Sequence, residues 1–154
     1  MKPFSLARKL GLVAASFYAL LFFSTGTVHA HTQSTSYLNL RTTPSGLTGE
    51  WHLALRDLED AVGLDLNDDG VITWSELLAR KAAVSAYALS RLHLRGDGQT
   101  GRLHINELLV DNHSDGAYAV LRFDVAGLSR PNKIELIYRA FFVIDPKHRG
   151  LFRL

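Results

Sequence analysis

The chain has 154 residues, 47% apolar and 21% charged, the balance of a globular protein able to bury a real core. It has no cysteine, which excludes a disulfide framework and any thiolate site. The formal charge of +2 rests on Lys2, Arg8 and Lys9 in an acid-free leader; without these three, the 17 bases fall to 14 against 15 acids, which excludes a basic face for nucleic acid or membrane.

Residues 1–9 are short and basic, and residues 10–23 form a 14-residue uncharged stretch rich in Leu, Ala and Phe. Residues 24–30 are small and polar and end in Val28-His29-Ala30. That order is the pattern of a secretory signal peptide. As a helix the apolar stretch reaches about 21 Å, short of the ~30 Å of a bilayer core. We expect residues 1–30 to be a signal helix cleaved after Ala30. Residues 31–154 then lie on the outer side of the membrane, in a bacterial periplasm. Cleavage makes His31 the new terminus, and its amine and imidazole offer a chelating pair for Cu(II) or Ni(II). A mobile polar end is the plainer reading of the same residue.

After a polar leader, residues 37–41 alternate and predict a strand. Thr43-Pro44-Ser45-Gly46 predicts a turn. Trp51, Leu53 and Leu55 alternate with polar or small residues, predicting a strand to about Arg56. A short helix follows, capped by Asp57 and with Asp60 at its third position, where a carboxylate suits the free N–H groups. Thr73-x-x-Glu76 is a capping box, opening one long helix to about His93 with a buried stripe of Leu78, Ala82, Ala86, Leu89 and Leu92. Gly96, Gly98 and Gly101 break the chain. Strands are expected over residues 103–110, 117–125, 133–143 and 151–154, with turns at residues 111–116 and 129–132. The expected class is α+β: a mostly antiparallel, sandwich-like β domain with a helical segment, residues 57–93, inserted between early and late strands.

Residues 65–76 read Asp-Leu-Asn-Asp-Asp-Gly-Val-Ile-Thr-Trp-Ser-Glu, the twelve-residue pattern of an EF-hand calcium loop. Asp65, Asn67 and Asp69 stand at positions 1, 3 and 5, where short oxygen side chains converge. Gly70 permits the sharp reversal at position 6, Val71 offers its carbonyl, and Thr73 acts through water. Glu76 at position 12 supplies two oxygens, closing the roughly seven-oxygen shell that Ca²⁺ prefers over the smaller Mg²⁺ octahedron. Asp68 adds screening charge. The bland alternative is an acidic turn that starts a helix. A second loop is not found. Asp111-x-His113-x-Asp115-Gly116 imitates half of one, but position 12 is Arg122, a cation, and a hairpin turn is the better reading. Residues 97–101 are too poor in oxygen ligands. A lone loop in a calcium-rich compartment suggests a structural ion rather than a switch.

No nucleophile elbow, phosphate loop or H-E-x-x-H occurs, and we expect no enzymatic activity. Asp111, His113, Ser114 and Asp115 include triad residue types but crowd into one turn. His52, His104, His113 and His148 are scattered without ligand spacing. Trp51, Trp74 and Phe141-Phe142 read as core or interface.

The segments 51–58, 63–65, 72–76, 113–120 and 145–151 together resemble the N-terminal extracytoplasmic region of HupE/UreJ-type membrane proteins, named for hydrogenase and urease accessory proteins. The resemblance covers about residues 37–154. It implies a periplasmic domain on the outer face of the inner membrane, joined to a membrane-embedded part associated with metal transport, nickel in particular. The His and Asp residues of that part are not in this sequence, so a truncated or split reading frame is expected. A free periplasmic calcium-binding adaptor is the alternative, and a copper or nickel protein using His31 a further one.

Overall fold

The computed structural model describes residues 34–44 and 46–154. The chain divides into two units, residues 1–31 and residues 32–154. The expected signal helix and His31 lie outside the described residues. Among those residues no helix is long and apolar enough to cross a membrane.

The described part is α+β with mostly antiparallel pairing. Its elements in chain order are β1 (Thr35–Thr43), β2 (Gly46–Ala54), α1 (Leu55–Val62), α2 (Trp74–Ala79), α3 (Lys81–Arg91), β3 (Leu92–Gly96), β4 (Gln99–Thr100), β5 (Arg102–His113), β6 (Gly116–Ala126), β7 (Ile134–Tyr138) and β8 (Arg149–Arg153). One sheet has the order β5-β6-β2-β1-β8 and the other β4-β3-β7. Only β8 runs parallel to its neighbour, β1; the other pairs are antiparallel.

Period-two alternation explains the larger sheet. Leu38 and Leu40 on β1, Leu47, Trp51 and Leu53 on β2, and Ala119, Leu121, Phe123 and Val125 on β6 are all buried. Their neighbours Tyr37, Glu50, His52, Tyr118 and Arg122 take the opposite face, because successive side chains in a strand point opposite ways. A bulge between Ile105 and Glu107 shifts the register of β5, so Leu108 turns to the core. Gly49 is required where it stands. Its cross-strand partner is Phe123, and a Cβ at residue 49 would lie 2.2 Å from the Phe123 ring.

The smaller sheet feeds the same hydrophobic cluster through Leu92 and Leu94, joined by Leu55 and Leu58 of α1 and Val84 and Ala88 of α3. Burying each such leucine or valine side chain contributes about 1.5–3 kcal/mol.

Four local expectations are corrected. Asp57 does not cap a helix. Ala54 holds that place without a side-chain cap, and Asp57 sits buried inside the first turn. Asp60 is accordingly past the third helical position. The single long helix is two, because Arg80 leaves helical backbone (φ −92°, ψ 5°) between α2 and α3. Of the predicted stripe only Leu92 is buried, and it stands on β3; the helices bury Leu77, Val84 and Ala88, while Leu78, Ala82, Ala86 and Leu89 are exposed. Finally, the helix does not run to His93: strand β3 begins at Leu92, and Asp97 and Gly98, both with positive φ (47° and 82°), form a two-residue hairpin turn between β3 and β4.

A buried polar network ties the ends of the described chain together. The Ser34 hydroxyl donates to Asp57 Oδ2 at 2.6 Å and also contacts His148 Nδ1. On the other edge of the ring, His148 Nε2 lies 3.1 Å from Ser36 Oγ and 2.9 Å from the Tyr138 hydroxyl. Burial pushes the His148 imidazole below its ordinary 6.5, against the opposing pull of Asp57 and Asp145. The native state therefore binds this proton less readily than the unfolded chain. Stability is full above about pH 6.5 and is lost as pH falls through the lower folded value. We expect urea midpoints to drop between pH 7.5 and 5, and the His148→Gln variant to flatten that slope. An equally steep slope in the variant assigns the effect elsewhere.

Candidate functional site

The loop of residues 65–76 hangs between two fully buried anchors, Leu64 and Leu77. Between them residues 66–71 are exposed. Its entry is set by Glu59 of α1, whose carboxylate accepts the N–H groups of Leu64 and, at 2.7 Å, Asp65.

Inside the loop the oxygen side chains hold the backbone around themselves. Asp65 Oδ2 accepts the Gly70 N–H at 2.8 Å, and Asp65 Oδ1 the Asp69 N–H at 3.3 Å. Asn67 Oδ1 accepts the Asp69 N–H at 3.1 Å, and Asp69 Oδ1 the Val71 N–H at 2.8 Å. The Asn67 amide donates to Asp69 Oδ2 at 2.9 Å. Gly70 has φ 80°, the reversal only glycine adopts freely. Asp68 also has positive φ, 57°, and makes none of these bonds.

Glu76 closes the loop. Its Oε2 accepts the Thr73 N–H at 2.9 Å and hydroxyl at 2.7 Å, while the Glu76 N–H donates to Thr73 Oγ1 at 3.3 Å. The capping box is present as the sequence predicts. Its Oε1 accepts the Leu66 N–H at 3.1 Å, so the carboxylate turns toward the start of the loop. The Thr73 hydroxyl, followed by backbone N–H groups, holds the Glu76 carboxyl below the usual carboxylate value. Glu76 is charged at neutral pH, and its Oε1 lies against the backbone at the start of the loop. Each carboxylate oxygen has two lone pairs, so one that accepts a single bond, such as Asp65 Oδ2, keeps capacity for a cation, while Glu76 Oε2 already accepts two and must give one up to ligate. Val71 is exposed, and its carbonyl stands at the position the loop pattern assigns to a ligand.

Reading spacing along the sequence missed a second group. Among the described residues, His52, Asp111 and His113 are the one set of three His, Asp or Glu residues whose ligand atoms all lie within 4.8 Å of one another. The histidines are therefore not all scattered. Strand pairing brings His52 of β2 beside His113 of β5, across Tyr118 of β6. The signal lay in alternation, which puts Glu50, His52, Asp111 and His113 on one sheet face, but the strand order needed to join them is not in the sequence. His148 is likewise buried in the network described above.

Neither models of protein families nor curated proteins give a match to this chain.

Proposed function

We propose that the chain binds one calcium ion in an EF-hand loop formed by Asp65, Asn67, Asp69, the Val71 carbonyl, Thr73 and Glu76, and that the ion is structural. The observation that carries this reading is the Glu76 carboxylate reaching back to the Leu66 N–H, which closes position 12 onto position 2, next to Asp65. The turn bonds of Asp65, Asn67 and Asp69 add support, since they hold three oxygen side chains in place before any ion arrives. Following the resemblance to HupE/UreJ-type proteins, we place the domain in the periplasm, beside a membrane-embedded metal-transport part. We read its two sheets as sandwich-like because both feed one hydrophobic cluster.

Calorimetric titration of the chain with calcium chloride tests the proposal. One equivalent is expected, with a dissociation constant of about 10⁻⁴–10⁻³ M, as in extracellular modules. Magnesium binds more weakly, and Glu76→Gln loses at least about tenfold, because one carboxylate oxygen becomes an amide nitrogen that cannot ligate. No heat at millimolar calcium, or an unchanged constant in Glu76→Gln, overturns it.

A further inference from the structure

His52, Asp111 and His113 converge on the outer face of the larger sheet, away from the calcium loop in sequence and in ligand chemistry. His52 Nδ1 lies 3.1 Å from His113 Nε2 and 4.0 Å from Asp111 Oδ2, and His113 Nε2 lies 3.5 Å from Asp111 Oδ2. A tetrahedral ion with bonds of about 2.0–2.2 Å has ligand–ligand edges of about 3.3–3.6 Å. The three separations bracket that edge.

The supporting groups agree. His52 Nε2 lies 3.0 Å from Glu50 Oε1. An ionised carboxylate only accepts, so His52 Nε2–H donates to Glu50, and the tautomer that carries this proton turns its Nδ1 lone pair toward His113 and Asp111. Glu50 is itself held by Arg122, whose Nε donates to Oε2 at 2.9 Å while its Nη1 donates to Glu107 at 3.0 Å. A carboxylate behind a ligating imidazole is the usual outer partner of a metal-bound histidine. Packing fixes the rings as well. Tyr118 stacks on His113 at 4.2 Å between centroids, and Tyr37 sits against both imidazoles. His52 is buried, and Asp111 and His113 are two residues apart on one strand. A bare hydrogen bond between the two imidazoles accounts for the 3.1 Å contact alone. It does not account for Asp111, whose carboxylate closes the third side of the triangle.

We propose that His52 Nδ1, His113 Nε2 and Asp111 Oδ2 bind a zinc-class divalent ion, with a fourth position open to water or an external donor. Two imidazoles and one carboxylate are the donor set of such an ion, whereas calcium takes oxygen ligands.

The test uses the full chain carrying Glu76→Gln, so that failure of the calcium reading does not bear on the result. Zinc chloride is titrated by calorimetry, and cobalt chloride by visible absorption, where tetrahedral coordination gives strong d–d bands. One equivalent is expected, with the tetrahedral cobalt spectrum. His113→Ala and Asp111→Asn should each abolish that spectrum and weaken zinc at least tenfold. Glu50→Gln should weaken zinc by about 10–100-fold, as removal of an outer-shell partner does. Absence of zinc binding overturns the proposal. So does zinc binding that His113→Ala leaves unchanged, which would move the metal to the terminal histidines.

Discussion

Saturating calcium should raise the melting temperature of this protein by on the order of 10 °C. Four carboxylates, Asp65, Asp68, Asp69 and Glu76, stand within twelve residues of one another. Among the described residues no Lys or Arg side chain hydrogen-bonds to the loop to offset them. A ligand that binds only the native state adds about 2.7 kcal/mol when present at a hundred times its dissociation constant. For a domain of this size each kcal/mol moves the midpoint by roughly 3–6 °C, which gives the stated shift. Melting followed by circular dichroism, with calcium and then with excess chelator, measures it. Glu76→Gln should remove the calcium-dependent part and leave the chelated midpoint nearly where it was. If chelator and calcium give the same midpoint, the ion has no structural role.

The turn of residues 65–76 was legible because its information is local. Asp65, Asn67, Asp69 and Gly70 set its bonds by type and spacing within twelve residues, and the capping box that orients Glu76 is a four-residue signal. The strands of the larger sheet were legible for a similar reason: one face is buried, so Leu38, Leu40, Trp51 and Leu53 alternate visibly with polar neighbours. What failed was information that depends on the rest of the fold. Around Leu77 and Leu78 both residues are leucine, and periodicity alone does not say which one faces the core. Arg80 carries no helix-breaking signal, yet the chain leaves helical geometry there. Asp97-Gly98 is a strong hairpin signal, but the helical pattern preceding it obscured the short strand β3. The His52, Asp111 and His113 group was out of reach for a deeper reason. Its members are joined only when β6 is laid between β2 and β5, and composition does not dictate that order.

The orientation of α2 can be decided by two neighbouring leucines. Leu77 is fully buried, while Leu78 is 49% exposed. Leu77→Ala should cost about 2–5 kcal/mol, the transfer of a leucine side chain plus the cavity left behind. Leu78→Ala should stay within about 0.5 kcal/mol, as surface substitutions do. Urea denaturation of the two variants measures the difference. The larger effect should also reach the loop. Leu77 follows Glu76 directly, and its burial holds the first turn of α2 in the position from which the carboxylate reaches Leu66. Where docking is incomplete, apparent calcium affinity falls in proportion to the docked fraction. Leu77→Ala is therefore expected to weaken calcium and stability together, and Leu78→Ala neither. Equal costs, or a larger one at Leu78, would mean that α2 presents the face given by the simple periodic pattern, and that Glu76 does not close the loop from where it now stands.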